Sequence, residues 1–212
     1  MNIKAYKVNS LNKRPTMQRP HHPSKEEIIT LAPMNRLGLA DIVLINTLDQ
    51  AELALQTLLT HDVLGFDTES KPTFIKEEVS SGPHIVQFAT LQKAYIFQLY
   101  DDASTRIASQ ILTNQKIQKV GFGLAGDHVQ IKRTLGVHPQ NVLDLNEVFR
   151  NQGYIKELGV KSAVAVMFQQ RFLKSKKATT SNWANQSLTE SQLVYAANDA
   201  WAAMKVFHAL KC

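Results

Sequence analysis

The sequence contains a single cysteine, Cys212, among its 212 residues. A disulfide within the chain and a cysteine-based metal site are therefore excluded, and such a sequence is typical of a reducing compartment. Long apolar runs are lacking as well: AVAVMF, at residues 163–168, is far shorter than the roughly 20 residues of a membrane-spanning helix. No apolar secretory leader is found near the start. We therefore expect a cytoplasmic protein with no membrane partner.

Acidic residues are scarcer than basic ones, and none precedes Glu26. Lys and Arg number 24 against 18 Asp and Glu, which gives a net charge of +6. This balance favours an anionic partner, of which nucleic acid is the commonest, with a merely solvated basic surface as the alternative. Apolar residues make up 44% and charged residues 20%, as in globular domains of this length.

The first 40 residues differ in composition from the rest. NKRPTMQRPHHP is polar, basic and proline-containing, so we expect an extended or partly disordered tail there. Its acid-free start is shared by organelle transit peptides and by simple basic tails. SKEEIITLAP predicts one short helix, with Ser24 as N-cap and Glu27 three residues further on. The folded unit is predicted to span residues 41–212.

The order of strands and helices indicates a mixed sheet. HIVQFAT and KAYIFQL are separated by a short turn and predict a β-hairpin. Further strands are predicted at VLGFDTE, IQKVGF and NVLDL, and from residue 103 onward strands alternate with helices. We expect helices on both faces of the sheet. The candidate core residues of a helix at residues 48–59 are Leu53, Leu55, Leu58 and Leu59.

Two carboxylates stand at the end of a predicted strand in GFDTES. Asp67 and Glu69 are two residues apart, and the period of a strand places both side chains on one face. Like charges side by side are destabilising unless a cation lies between them, and oxygen ligands favour a hard divalent cation. The pair therefore indicates a metal site, with a solvated strand end as the alternative.

The last predicted helix carries another carboxylate within a run of alanines. Ser187 and Glu190 match a capping box at its start. Tyr195 and Asp199 are four residues apart and therefore lie on one side of the helix. Because a packed helix face rarely contains a carboxylate, this pair indicates a site that holds a water molecule and a metal ion. The alternative is an ordinary core tyrosine beside a rim carboxylate.

A glycine-rich loop, VGFGLAGDHVQ, contains the pattern G-x-G-x-x-G between a predicted strand and helix. With Asp144 about 20 residues further on, this pattern is typical of dinucleotide-binding domains and indicates an NAD-dependent oxidoreductase. That hypothesis places Asp127 beside the pyrophosphate, which a carboxylate repels, and leaves the other carboxylates unexplained. We therefore interpret the glycines as structural residues that direct Asp127 inward, with a helix-capping role for Asp127 as the alternative.

Three motifs, GFDTES, VGFGLAGD and LVYAANDA, resemble in this order those of the DEDD-type 3′–5′ exonucleases. The tyrosine four residues before the final aspartate is similar to that of the tyrosine subgroup, which contains RNase D and the Werner-type exonuclease domain. The resemblance extends from about residue 41 to about residue 210. It implies an α/β, RNase H-like three-layer fold with a mixed five- to six-stranded sheet and helices on both faces.

The resemblance also implies an activity and a role for each motif residue. The protein would release nucleoside 5′-monophosphates from nucleic acid with a free 3′ end, using two divalent ions, Mg²⁺ or Mn²⁺, and no organic cofactor. Asp67, Glu69 and Asp199 would bind one ion, and Asp67 would also reach the second. Asp127 would hold the second ion through water, and Tyr195 would position and help to activate the attacking water.

Contacts with nucleic acid are expected around these motifs. Thr68 and Ser70 flank the carboxylates and are candidates for contact with the terminal sugar. Phe74 is a candidate wedge against a base, with a core position as the alternative. The candidates for phosphate contact lie in LKSKK, where a solvated loop is the alternative: Lys174, Lys176 and Lys177. Two other hypotheses stay open, an inactive nucleic-acid-binding module of the same fold and the oxidoreductase.

Overall fold

A six-stranded sheet forms the centre of the computed structural model, which describes residues 20–73 and 78–210. The strands are Ala32–Pro33 (β1), Ile42–Ile45 (β2), Val63–Glu69 (β3), Ile85–Ala89 (β4), Ala94–Gln98 (β5), Gln118–Gly121 (β6), Val142–Asp144 (β7) and Gln170–Arg171 (β8). The α-helices are Lys25–Thr30 (α1), Leu48–Leu58 (α2), Asp102–Thr113 (α3), Ala125–Leu135 (α4), Leu145–Asn151 (α5), Gly159–Phe168 (α6), Lys176–Thr179 (α7) and Glu190–Leu210 (α8). Within the described ranges, no helix combines the length and apolarity needed to cross a bilayer.

The main sheet has the strand order β2-β5-β4-β3-β6-β7. Strand β4 is antiparallel to both β3 and β5, so the predicted hairpin is present. The other neighbours are parallel: β2 with β5, β3 with β6, and β6 with β7. The prediction of a mixed sheet of five to six strands is confirmed. This order differs from the doubly wound parallel sheet that a dinucleotide-binding domain requires.

Helices cover both faces of the sheet, as predicted. Helices α5, α6 and α8 contribute to the apolar core on one face, and α2, α3 and α4 to the core on the other. In α2 the buried residues are Ala51, Ala54 and Leu58, whereas Leu53 and Leu59 are exposed. The core prediction is therefore wrong for Leu53 and Leu59, because α2 packs through the face that carries its small alanines.

Helix α8 lies against β3 at very short range. A Cβ on Gly65 would lie 2.0 Å from the backbone oxygen of Ala200, so only glycine allows this approach of helix and strand. Side chains alternate between the faces of a strand, and Asp67 and Glu69 therefore lie on the same face as Gly65. The strand thus presents both carboxylates to α8.

The start of α8 differs from the predicted capping box. Thr189 N–H donates to Gln192 Oε1 at 3.0 Å, and Gln192 N–H donates to Thr189 Oγ1 at 3.3 Å. This reciprocal pair replaces the predicted Ser187 and Glu190, so that prediction is wrong. The segment SLTESQ contains two overlapping matches to the capping-box pattern, one that starts at Ser187 and one that starts at Thr189. The helix begins at Glu190, immediately after Thr189, so the second match forms the capping box.

The segment before β2 is attached to the edge of the domain. Helix α1 has the predicted capping box between Ser24 and Glu27, and β1 pairs in parallel with β8. Further along, the Asn198 side chain in α8 accepts from Leu37 N–H at 2.9 Å and donates to Leu37 O at 3.1 Å. The predicted basic tail up to residue 19 lies outside the described residues.

Replacing Gly65 with alanine tests the approach of α8 to β3. We expect Gly65→Ala to lower the free energy of unfolding by about 1–3 kcal/mol or more, because the new methyl group meets a backbone carbonyl that cannot move alone. The matched control is Gly126→Ala in α4, where a Cβ would have no neighbour within 4 Å. That control should be neutral or stabilising by up to about 1 kcal/mol. Equal denaturation midpoints for the two variants would contradict the expectation.

Candidate active site

Three carboxylates converge where β3 meets α8. Asp67 and Glu69 extend from the end of β3, and Asp199 precedes the alanine that lies against Gly65. One ligand atom from each carboxylate lies within 4.8 Å of the others. Asp199 is 5% exposed, and its Oδ1 receives no hydrogen bond from any residue that the structure describes. The arrangement fits a divalent cation, because it gathers hard oxygen ligands without enough donors to compensate their charge.

The electrostatics of the three carboxylates lead to the same conclusion. Burial, followed by the charges of Asp199 and Asp127, raises the pKa of Asp67 well above its usual value. Burial, followed by the charge of Asp67, raises the pKa of Glu69 to about 10. Burial also raises the pKa of Asp199, although Lys174 opposes this effect. These carboxylates ionise together near neutral pH only when additional positive charge is present.

Asp127 lies in the first turn of α4, next to the cluster. Thr68 Oγ1 donates a short hydrogen bond to Asp127 Oδ1, which connects β3 to α4. Burial raises the pKa of Asp127, while the Thr68 hydrogen bond lowers it. Asp127 is outside the group of three whose oxygens lie within 4.8 Å of one another. Its charge nevertheless acts on Asp67 and Glu69, so all four predicted carboxylates share one electrostatic environment.

The glycine-rich loop positions Asp127 by sterics. A Cβ on Gly121 would lie 2.5 Å from Phe66 O, and Gly123 has a φ of +71°. The first two glycines are therefore required by the backbone, as the structural interpretation predicts. Asp144 Oδ2 accepts from Leu124 N–H at 3.0 Å, and Asp144 is also the N-cap of α5. The acidic residue of the dinucleotide pattern is thus engaged in holding this loop, which disfavours the oxidoreductase hypothesis.

Tyr195 lies one turn before Asp199 on α8 and is 7% exposed. Thr179 Oγ1 donates to the Tyr195 hydroxyl at 3.2 Å, and the Trp183 ring lies 5.8 Å from the tyrosine ring. Burial, followed by the Asp199 charge, raises the pKa of Tyr195 to about 12. The phenol is therefore protonated at neutral pH. It accepts from Thr179, and its interaction with Asp199 lowers the pKa of that carboxylate.

Lys174 is drawn into the carboxylate cluster. Its Nζ lies 2.6 Å from Asp199 Oδ2 and 4.9 Å from the centre of the Tyr195 ring. Burial lowers the pKa of Lys174, but its interactions with Asp199 and Tyr195 outweigh this effect and hold the pKa above its usual value. The sequence predicts phosphate contact for Lys174, but no local pattern predicts its contact with Asp199. The ammonium group supplies part of the positive charge that the carboxylates require.

The other candidate contact residues have different surroundings. Ser70 Oγ donates to Gln130 Oε1 at 2.5 Å, so it joins β3 to α4 as Thr68 does. Lys176 and Lys177 are exposed on the short helix α7. Phe74 lies outside the described residues. The structure therefore gives Thr68 and Ser70 partners within the protein, and it leaves the two α7 lysines exposed to solvent.

Two polar residues near the cluster are not among the site residues predicted from the sequence. Gln87 lies directly across the strand pair from Asp67, fully buried, and its side-chain amide has no hydrogen-bond partner among the described residues. Thr179 binds the Tyr195 hydroxyl. A glutamine at a buried position of an otherwise apolar strand is a detectable signal, similar to that of Asp199 among alanines. The Thr179 contact depends on tertiary folding and leaves no sequence pattern.

Two clefts open onto the cluster. One, of about 270 Å³, is lined by Lys174, Tyr195 and Asp199 together with Arg36. The other, of about 360 Å³, is lined by Asp67, Lys174 and Asp199 together with residues of the glycine-rich loop and the start of α6. Because Asp199 lines both clefts, a molecule that enters either one reaches the carboxylates.

Thermal denaturation at two pH values tests the carboxylate cluster. The folded-state pKa of Glu69, about 10, exceeds its ordinary unfolded value of about 4. Between these values the folded protein binds more protons than the unfolded chain, so stability should fall as pH rises. A divalent cation offsets this loss, and we expect Mn²⁺ to raise Tm more at pH 8.5 than at pH 5.

The control for that experiment is an Asp67→Asn, Glu69→Gln double variant. It removes the charge of two ligands with little change of shape, so the Tm increase with Mn²⁺ should be small at both pH values. An increase in Tm that is independent of pH, or equal in the variant, would show that the ion binds elsewhere.

Comparison with known proteins identifies the family. A family model described as 3′–5′ exonuclease matches residues 42–212. The bifunctional 3′–5′ exonuclease/ATP-dependent helicase WRN of Mus musculus is 30% identical over 155 residues, which are 70% of this chain and 11% of that protein. A 3′–5′ exonuclease of Arabidopsis thaliana is 26% identical over 151 residues, which are 70% of this chain and 52% of that protein. The chain thus spans about a tenth of one curated relative and about half of the other.

Solved structures share the fold. The EXO domain of Aedes aegypti Nibbler superposes with a TM-score of 0.72 at 20% identity, over 85% of this chain and 91% of that one. The Trypanosoma brucei RNase D complex with RNA U12 has a TM-score of 0.71 at 18% identity, over 87% of this chain and 64% of that one. The expected fold of RNase H-like exonuclease domains is therefore confirmed. With the family match extending over most of its length, the chain belongs to the 3′–5′ exonuclease family.

Proposed function

We propose that this chain hydrolyses phosphodiester bonds at the 3′ end of single-stranded DNA or RNA and releases nucleoside 5′-monophosphates. One observation carries the proposal: the ligand oxygens of Asp67, Glu69 and Asp199 lie within 4.8 Å of one another at the junction of β3 and α8. Burial raises the pKa of each carboxylate, so the cluster is suited to hold divalent cations against a phosphodiester. The RNA in the related Trypanosoma structure supports a nucleic-acid substrate.

The metal requirement follows from the donor set. Asp67, Glu69 and Asp199 would hold one ion, and Asp67 with Asp127 would hold a second. The ligands are all carboxylate oxygens, which favour Mg²⁺ or Mn²⁺ over Zn²⁺. When bound, such ions neutralise the scissile phosphate, lower the pKa of water and stabilise the leaving oxygen. Thr68 contributes by holding the Asp127 carboxylate next to Asp67.

The role of Tyr195 follows from its hydrogen bonds. Its pKa of about 12 keeps the phenol protonated, and Thr179 donates to the phenolic oxygen. In the proposed complex, the phenolic proton would be donated to the attacking water, which Tyr195 would orient without removing a proton from it. We assign Tyr195 to positioning of the water, with Thr179 fixing the direction of its hydroxyl. Assistance in activating the water then comes from the carboxylate site.

The lysines of the segment 173–177 complete the substrate site. Lys174 binds Asp199 in the structure, and a divalent cation at Asp199 would compete with its ammonium group. Displaced by the cation, Lys174 would lie within reach of the scissile phosphate, as phosphate contact requires. Lys176 and Lys177 are exposed beside it and would bind neighbouring phosphates. Contacts of Thr68, Ser70 and Phe74 with the terminal nucleotide stay predictions.

A degradation assay tests the activity. We expect 5′-labelled single-stranded DNA or RNA to shorten from its 3′ end with Mg²⁺ or Mn²⁺, and to stay intact with EDTA. The Asp67→Ala, Glu69→Ala variant should lose at least two to three orders of magnitude in rate, because it removes ligands that stabilise the transition state. Intact substrate with the folded wild-type protein and both metals would contradict the exonuclease proposal and favour the inactive binding module.

A Lys174→Gln variant tests the competition at Asp199. Because the variant removes a cation 2.6 Å from that carboxylate, we expect half-maximal activity at a lower Mg²⁺ concentration. The KM for an oligonucleotide should rise about tenfold through the lost phosphate contact, which corresponds to about 1.4 kcal/mol. Lys116→Gln, on an exposed residue before β6, is the matched control and should behave as wild type. A higher Mg²⁺ requirement would show instead that Lys174 orients Asp199 for the metal.

A further inference from the structure

A groove between α1, the start of α6 and the segment after β8 leads to the carboxylate cluster. We call it the basic groove. Its volume is about 800 Å³, against about 270 and about 360 Å³ for the two clefts at the carboxylates. It shares four lining residues with the cleft that contains Asp67 and Asp199: Leu158, Gly159, Val160 and Lys174. A chain lying in the basic groove therefore continues directly into the active site.

The lining of the basic groove combines positive charge with apolar surface. Among the described residues that line it, none is acidic, and the cationic ones are Lys25, Lys161, Arg171, Lys174 and Lys176. Helix α6 begins in the groove and has no acidic residue in its first turn, so its dipole also favours anions there. Ile29 is 65% exposed and Leu173 is 45% exposed in the same lining. Single-stranded nucleic acid is bound by cationic side chains that contact its phosphates and by neighbouring apolar side chains that contact its bases. The lining of the basic groove provides both.

Helix α1 has no structural role in the core. None of its residues is buried, yet hydrogen bonds in α1 and in the segment after it hold the helix in position. Arg171 Nη1 donates to Ile29 O at 2.8 Å, and Met34 N–H donates to Arg171 O at 3.0 Å beside the β1–β8 pairing. The helix thus displays Lys25 and Ile29 toward the groove on a fixed backbone. Helix α1 also lies outside residues 42–212, which the family model matches.

We propose that the single strand leading to the 3′ end lies in the basic groove, with phosphates at Lys25 and Lys161 and bases against Ile29 and Leu173. Helix α1 is then part of the substrate-binding surface, and it extends this surface beyond the nucleotides at the carboxylates. The inference rests on the proposed exonuclease function. It adds to that function a preference for substrates long enough to reach α1.

The salt dependence of binding tests the phosphate contacts. A Lys25→Gln, Lys161→Gln variant is compared with a Lys93→Gln, Lys116→Gln control, which has the same net charge. Lys93 and Lys116 are exposed at the opposite end of the sheet from the carboxylates. Binding of fluorescein-labelled 12-nucleotide DNA and RNA is measured by anisotropy with Mg²⁺ present, and Asp67→Asn in every protein prevents cleavage.

We expect the groove variant to bind at least tenfold more weakly at low salt. Its slope of log K against log salt should decrease in magnitude by about 1.4, since each phosphate contact to a single strand contributes about 0.7. The control should keep the slope of the parent protein. An Ile29→Ser variant should weaken binding without changing the slope, because its contact is apolar. Equal slopes for the groove variant and the control would overturn the proposal.

Substrate length separates this inference from the exonuclease proposal. With Asp67 restored, the loss of kcat/KM in the groove variant should be large for a 12-nucleotide substrate and should shrink as the substrate approaches a dinucleotide. A loss that is independent of length would overturn the groove assignment while leaving the exonuclease function intact. Absence of nucleotide release by the wild-type protein at every length would instead overturn the function itself, whatever the salt slopes show.

Discussion

The contact between β3 and α8 at Gly65 is the constraint on which the site depends. Only a glycine allows the backbone of Ala200 to lie against the strand, and that separation sets where Asp199 stands relative to Asp67 and Glu69. A larger residue would move α8 outward, and the three carboxylates would no longer lie close enough to be able to bind one cation. Gly65 therefore affects the spacing of the three carboxylates through the distance between β3 and α8, although Gly65 itself lies in the packed interior of the domain.

The close approach of α8 to β3 also buries several carboxylates near one another, which is electrostatically unfavourable. The protein offsets part of this cost with a lysine and a hydrogen bond. Burial raises the pKa of every carboxylate in the cluster, and the charges of neighbouring carboxylates of the cluster add to this rise at Asp67 and Glu69. Lys174 supplies one compensating charge at Asp199, and Thr68 supplies a hydrogen bond at Asp127. Neither satisfies Asp199 Oδ1, which has no hydrogen-bond partner among the described residues. Binding of a cation and the stability of the fold would consequently be linked, because the ion would act on carboxylates whose ionised form burial disfavours.

Much of this arrangement was predictable from the sequence because it is encoded locally. The spacing of Asp67 and Glu69 on a strand, and of Tyr195 and Asp199 on a helix, determines which side chains share a face. The mixed sheet followed from the hairpin pattern. Errors arose where two local patterns competed: the overlapping matches at Ser187 and Thr189, and the leucines of α2, whose buried face is set by alanines. The contacts of Lys174 with Asp199 and of Thr179 with Tyr195 join distant segments, which no local pattern encodes.

The segment before β2 is joined to the core and to α8 by tertiary contacts. Leu37 and Met34 belong to the core that includes α8, and Asn198, next to Asp199, bonds both backbone groups of Leu37. The segment that follows α1 is thereby joined to the helix that carries Asp199. A nucleic-acid strand bound along α1 would contact the segment that contains Leu37. The backbone of Leu37 is hydrogen-bonded to Asn198, which is next to the proposed metal ligand Asp199. A buried asparagine thus joins the segment between α1 and β2 to the residue next to Asp199.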